Sequence, residues 1–188
     1  MSNNISRRKF IGTTSLAATA FTIVPRHVLG GTGYKAPSDT LNIGCVGIDG
    51  KGKSDIEGVS SENIAALCDV DLTRGMEARK NNPKANQYQD FRIMLDKEKD
   101  LDAITISTPD HTHAVIAMAA MQRGKHVFVQ KPLTKTVYEA RKLAETAKKN
   151  KIISQMGNQG HAGEGARLVN EWIWDGAIGD VNEVHAWT

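Results

Sequence analysis

Apolar and polar positions change period repeatedly between residues 41 and 188. Leu41–Gly47, Ile64–Cys68, Ala103–Ser107 and His126–Val129 are short runs rich in β-branched and aliphatic residues, and they read as buried strands. Between them, apolar residues recur every three or four positions. This spacing predicts helices over Gly50–Ser60, Asp71–Asn81, Phe91–Lys97 behind an Asp90 cap, and Thr112–Arg123 stopped by Gly124. Tyr88 marks a short third strand. Thr136-Val137-Tyr138-Glu139 matches a capping box, and Val137, Ala140, Ala144 and Ala147 then share one helix face. Ile152–Gln155 reads as a sixth strand, Glu164–Trp174 as a helix ending near Gly176, and Val181–Trp187 as a seventh strand. Strands separated by helices of this length form βαβ units, so the predicted fold is α/β with a doubly wound parallel sheet. The seventh strand reaches the last residues with nothing after it to pack against. The sequence therefore reads as the front part of a longer protein.

Composition narrows the function. The 188 residues are 40% hydrophobic and 24% charged, which excludes disordered and fibrous classes. The net charge of +3 comes from the first 39 residues, where Arg7, Arg8, Lys9, Arg26 and Lys35 face Asp39 alone. The remainder carries 19 basic and 20 acidic residues, and no arginine-rich stripe marks a nucleic-acid partner. Ser6-Arg7-Arg8-Lys9-Phe10-Ile11, followed by a mild apolar stretch from Ile11 to Val24, resembles a twin-arginine export signal. That stretch is too short and too weakly apolar for a stable membrane span. Ala18-Thr19-Ala20 offers a cleavage site. The expected location is periplasmic or otherwise extracytoplasmic, with the twin-arginine export machinery as a partner. Cys45 and Cys68 both fall in apolar strand-like runs and are expected as free thiols.

Candidate chemistry sits where strands end. In an open parallel sheet, residues just past the carboxyl ends line the ligand crevice. One such loop is Thr108-Pro109-Asp110-His111-Thr112-His113; the next is Gln130-Lys131-Pro132, closing the run VFVQKPL. Lys131 puts a cation on a flexible stem at that edge. Asp110 and Thr112 are candidate helix caps, and His126 a strand residue. His111 and His113 have H-x-H spacing but lack a third ligand, so no metal is expected.

The first strand–helix turn, Gly47-Ile48-Asp49-Gly50-Lys51-Gly52, follows the dinucleotide pattern G-x-G-x-x-G at its outer glycines. Asp49 holds the middle place, where a carboxylate repels a phosphate by about 1–4 kcal/mol at ~4 Å. Either Asp49 turns outward or Gly50 takes over the close approach. Asp69 lies 22 positions after Gly47, at the spacing of a carboxylate that accepts ribose hydroxyls. It favours NAD, while Arg74 nearby keeps NADP open.

Twin arginines, the glycine turn, ALCDVD at 66–71, STPDHTHA at 107–114 and GKHVFVQKPL at 124–133 together resemble the Gfo/Idh/MocA family of oxidoreductases. MGNQGHAGEG at 156–165 is similar to an exported bacterial subgroup. The resemblance implies a Rossmann-type domain over residues 40–155, after a signal and linker at 1–39. Residues 156–188 would be a crossover or the start of a second α/β substrate domain that is otherwise absent. It implies that Gly47, Gly50, Gly52, Asp69, Thr108, Pro109, His113, Gln130 and Pro132 bind the cofactor. It also implies that Lys131, the lysine of the family's E-K-P motif, is catalytic and binds substrate with Asn158 and His161. Gln130 replaces the usual glutamate, removing a charge beside Lys131. A sugar or polyol substrate and a homo-oligomeric parent protein are implied in the same way.

Twin-arginine export carries folded proteins, so an exported enzyme of this kind is expected to hold its nicotinamide nucleotide permanently. The leading expectation is an NAD(P)-dependent sugar or polyol oxidoreductase. A glycoside hydrolase or lyase using transient oxidation is the alternative, and a non-catalytic nucleotide-binding module is the third. Without the second domain, this stretch alone is expected to bind nucleotide but turn over little.

Overall fold

A computed structural model describes Gly31 and residues 35–187. The expected twin-arginine motif, its apolar stretch and the Ala18–Ala20 cleavage site lie outside the described residues. Two compact units are distinguished, residues 1–40 and 41–188. Of the first, the described part contains one 3-10 turn, Pro37–Asp39.

The second unit is a six-stranded parallel sheet, with β1 Asn42–Val46, β2 Asn63–Cys68, β3 Asn86–Tyr88, β4 Ala103–Ile106, β5 His126–Gln130 and β6 Ser154–Gly157. The order is β3-β2-β1-β4-β5-β6, so the winding reverses between β1 and β4. Val46 stands opposite Ile106, Ile106 opposite Val129, and Gln130 opposite Gly157. This register aligns the carboxyl ends of the four strands from β1 to β6. Helices α1 Lys51–Gly58, α2 Met76–Asn81, α3 Phe91–Lys97, α4 His113–Gln122 and α5 Val137–Asn150 connect the strands. The short α6 Gln159–Ala162 and then α7 Glu164–Trp174 follow β6.

Two apolar clusters hold the sheet. One gathers Met94, Leu95, Ile104, Ile106, Met121 and Val129. The other gathers Ile43, Cys45, Ile48, Ile56 and Leu67. Each fully buried side chain of this size contributes about 1.5–3 kcal/mol before conformational entropy is set against it. Both cysteines are free and buried. Burial, partly offset by a hydrogen bond with Thr105, pushes the Cys45 thiol up to about 11. Burial first, and then the Asp69 and Asp90 carboxylates, push the Cys68 thiol up to about 12. Neither thiol is primed as a nucleophile.

Local chemistry sets the helix ends. The Asp90 carboxylate accepts from Arg92 N at 2.8 Å, and Thr136 and Glu139 form the full reciprocal capping box. Gly124 ends α4 at φ 76°, in the left-handed region.

Three expected elements change. The helix expected over Asp71–Asn81 begins only at Met76, because Asp71 Oδ1 accepts from Thr73 N at 2.8 Å and Gly75 is left-handed. The sixth strand begins at Ser154 and not Ile152, since Ile152 N still donates to Ala147 O at the end of α5. Val181–Trp187, expected as a strand, is unpaired, and Trp187 is 84% exposed. Apolar alternation can mark a face, but a strand also needs a neighbour for its backbone groups. No helix among the described residues is long and apolar enough to cross a membrane.

Candidate functional site

Where the winding reverses, the segments after β1 and β4 leave on opposite sides of the sheet and open a crevice at its carboxyl edge. The crevice has a volume of about 600 Å³ and is lined by Gly47, Asp49, Asp69, Arg74, Thr108 and Pro109, among others. Its size lies in the range of small-molecule sites.

The glycine turn is built by contact. Gly47 has φ 80°, and a Cβ there would lie 2.6 Å from Ser107 O. At Gly52 a Cβ would lie 2.0 Å from Gly47 O, so only glycine lets α1 start this close to the turn. Gly50 adopts φ 54°, ψ −117°, and a Cβ built on it would meet nothing within 4 Å. The space before α1 is open, and no side chain caps that helix. Asp49 is paired with Arg74, another lining residue, whose Nε is 3.5 Å from Asp49 Oδ2. Asp49 has therefore not turned out of the crevice, but its carboxylate is paired with a guanidinium there, and Gly50 leaves room for an approach. An uncapped helix start in front of open space suits a pyrophosphate. The residues present fit a dinucleotide.

Asp69 is half-buried at the end of β2. Its Oδ2 accepts from Ile48 N at 3.2 Å and its Oδ1 from Asp71 N at 3.1 Å. The carboxylate thus pins the glycine turn to its neighbouring strand. Four lone-pair sites leave it capacity for further donors.

The other candidates lie along the next strand ends. His113 is buried, with Nδ1 2.7 Å from Pro132 O and Nε2 2.7 Å from Thr108 O. It ties the loop after β4 to the loop after β5. Both nitrogens face carbonyls, so this ring offers no free position to a metal, and no cluster of metal-ligating residues occurs among the described residues. Neither candidate cap acts as one. The Thr112 hydroxyl lies 2.7 Å from both Thr108 Oγ1 and Pro109 O, and Asp110 caps nothing. His126 lies in β5, where Nδ1 accepts from Ile153 N at 3.1 Å.

Lys131 directly follows β5 and is exposed, a cis peptide joins it to Pro132, and its ammonium makes no hydrogen bond or ion pair among the described residues. Asn158 and His161 follow β6 and are exposed. The crevice therefore gathers Gly47, Asp69, Thr108 and Pro109 directly. Lys131, Pro132, Gln130 and His113 stand one strand further along, and Asn158 and His161 beyond β6.

Asp55 was not among the residues singled out from sequence. Its buried carboxylate accepts from Lys51 Nζ at 2.6 Å, Ser107 Oγ at 2.6 Å, and Gln130 Nε2 at 3.0 and 2.8 Å. In the sequence it sits in a polar helix, KGKSDIEG, with nothing to distinguish it from a solvated charge.

Residues 41–158 match the family described as "Oxidoreductase family, NAD-binding Rossmann fold". The chain belongs to this Gfo/Idh/MocA family. It is 28% identical over 206 residues to "Glycosyl hydrolase family 109 protein 1" of Shewanella sp. (strain ANA-3), which covers 95% of the chain and 45% of that protein. The chain thus spans less than half the length of the curated relatives it matches.

Among solved structures it resembles myo-inositol 2-dehydrogenase from Lactobacillus plantarum, with a TM-score of 0.66 and 24% identity, over 76% of this chain and 43% of that one. It also resembles scyllo-inositol dehydrogenase from Lactobacillus casei with bound NAD(H) and scyllo-inositol, with a TM-score of 0.64 and 24% identity, over 75% and 43%. These likenesses carry the fold.

Proposed function

We propose that this member of the Gfo/Idh/MocA family is the cofactor-binding part of an exported NAD(P)-dependent enzyme that oxidises a carbinol of a sugar or polyol. The observation that carries this reading is the uncapped start of α1, held open behind Gly50 at the point where the sheet reverses. Bound nicotinamide nucleotide supplies a hydride acceptor, which gives oxidation if the hydride is kept and glycoside cleavage by transient oxidation if it is returned.

The residues of this chain divide the work. The glycine turn and α1 face the pyrophosphate, and Asp69 receives the adenosine ribose hydroxyls with the lone pairs its backbone donors leave. Thr108 and Pro109 line the crevice beside Gly47. Lys131, an unengaged cation at the next strand end, holds the substrate hydroxyl and favours its loss of a proton. Asn158 and His161 extend that edge toward the substrate. The SRRKFI motif supports export, and with it a nucleotide kept by the protein.

A second reading, glycoside cleavage with return of the hydride, is favoured by the name of the curated relatives matching 95% of the chain. The full-length protein separates the two. Addition of the right sugar or polyol is expected to raise nicotinamide fluorescence until an acceptor is supplied. Glycoside cleavage with no net change in the nicotinamide would replace the first reading by the second. Neither signal across a broad carbohydrate panel would remove both.

A further inference from the structure

One buried carboxylate holds together four segments that reach the site from distant parts of the chain. Asp55 projects from α1, one turn beyond the glycine turn, with its side chain 5% exposed. Lys51 approaches from the same helix, Ser107 from the end of β4, and Gln130 from the end of β5. Gln159, after β6, adds a longer contact from Nε2 to Oδ1 at 3.5 Å. An ionised carboxylate has about four acceptor sites, and these donors can occupy all of them. A buried charge persists only when paired and hydrogen-bonded in this way.

The Gln130 side chain is itself enclosed. It is 5% exposed, and a Cβ on Gly157 would come within 2.8–2.9 Å of its amide. Glycine at the end of β6 therefore leaves the amide the space it needs beside Asp55. The amide nitrogen is the donor there. A glutamate at position 130 would set a second carboxylate about 3 Å from the first, where two like charges cannot both stay ionised without large cost. Gln130 and Asp55 are thus chemical complements. Through them the peptide leading to Lys131 is anchored to the helix carrying the glycine turn.

We propose that Asp55 and Gln130 are a matched pair of positioning residues, setting the Lys131 strand end against the nucleotide-binding turn. The inference rests on the proposed reading of the crevice as a nucleotide site. The titratable and charged groups facing Asp55 are Lys51 on its own helix and the Cys45 thiol on β1. The ends of β4 and β5 and the segment after β6 present the neutral Ser107, Gln130 and Gln159.

The test uses the chain with Gln130→Glu, Asp55→Asn and the double exchange, titrated with NADH and melted without nucleotide at pH 6 and pH 8. In Gln130→Glu the two carboxylates are expected to share one proton at pH 6 and to repel at pH 8. NADH affinity is then expected to fall about tenfold or more at pH 8 and clearly less at pH 6, with the melting temperature following the same order. The double exchange restores one donor and one carboxylate. It is expected to return affinity to within about threefold of wild type, without the pH dependence.

Wild-type behaviour of Gln130→Glu at both pH values would overturn the proposal, and so would a double variant no better than the single one. If Gln130→Glu does not fold, recovery of a folded, NADH-binding double variant supports the pairing, and failure to recover overturns it. A wild-type chain that binds no NADH would defeat the nucleotide reading instead. The nucleotide-free melting series would still show separately whether the two residues are matched.

Discussion

Gly52→Ala is expected to lower the stability of the domain by about 3 kcal/mol or more, the upper end of what overpacking costs. The added Cβ would stand 2.0 Å from Gly47 O and 2.7 Å from Gly47 C, and both are backbone atoms of the turn itself. Relief requires α1 to move away from β1. That would also break the hydrogen bond from Gly52 N to Asp49 O and pull Asp55 from Ser107. Gly58, at the other end of the same helix, has nothing within 4 Å of its Cβ position and no positive φ. Gly58→Ala should therefore be neutral or slightly stabilising, because alanine lowers the entropy of the unfolded chain. Urea unfolding of the two variants checks the contrast. Equal losses in both would mean that the turn is not packed as described.

On the proposed reading, Lys131→Met in the full-length protein is expected to reduce kcat/KM by about 10²–10⁴, the range for loss of a group assisting proton transfer. NADH affinity should stay within about threefold, since an effect on the chemical step need not touch cofactor binding. The exposed ammonium has no structural partner among the described residues, so the fold should be unaffected. Methionine keeps most of the length of the side chain and removes only the charge. Steady-state kinetics with a substrate found in the carbohydrate panel, beside an NADH titration, checks this. Unchanged kcat/KM would remove Lys131 from the reaction. A parallel collapse of NADH affinity would make it a cofactor ligand.

The parts of this fold legible in the sequence are those settled within a few residues. The capping box at Thr136 and Glu139, the Asp90 cap and the Gly124 stop each depend on local backbone chemistry, and each stands where its signature lies. The strands β1, β2, β4 and β5 are short apolar runs flanked by turns, and they too were readable. The starts of α2 and β6 shifted through local hydrogen bonds, and the other misses depended on a partner elsewhere. The alternation over 181–187 resembles a strand but finds no neighbour. Asp55 looks like a solvated helix residue, yet three of its four donors lie 52, 75 and 104 positions away. Gln130 is related: from sequence it appears as a charge lost beside Lys131. In the fold it is a donor matched to a carboxylate that α1 brings to it. Gly47, Asp69, Thr108 and Pro109 come together at one crevice because strand ends converge where a parallel sheet reverses.

The crevice between the ends of β1 and β4 is expected to hold a nicotinamide dinucleotide. Calorimetric titration of the chain, after acid release and identification of any nucleotide that co-purifies, tests it most directly. The expected result is either NAD(H) released in equal amount to protein, or binding of added NADH at one per chain with Kd at or below about 10 μM. NADPH should bind at least about tenfold more weakly, because a 2′-phosphate would stand against the Asp69 carboxylate. A chain that releases no nucleotide, shows no heat of binding and gains no thermal stability with about 1 mM NADH or NADPH would rule out a nucleotide site in the crevice.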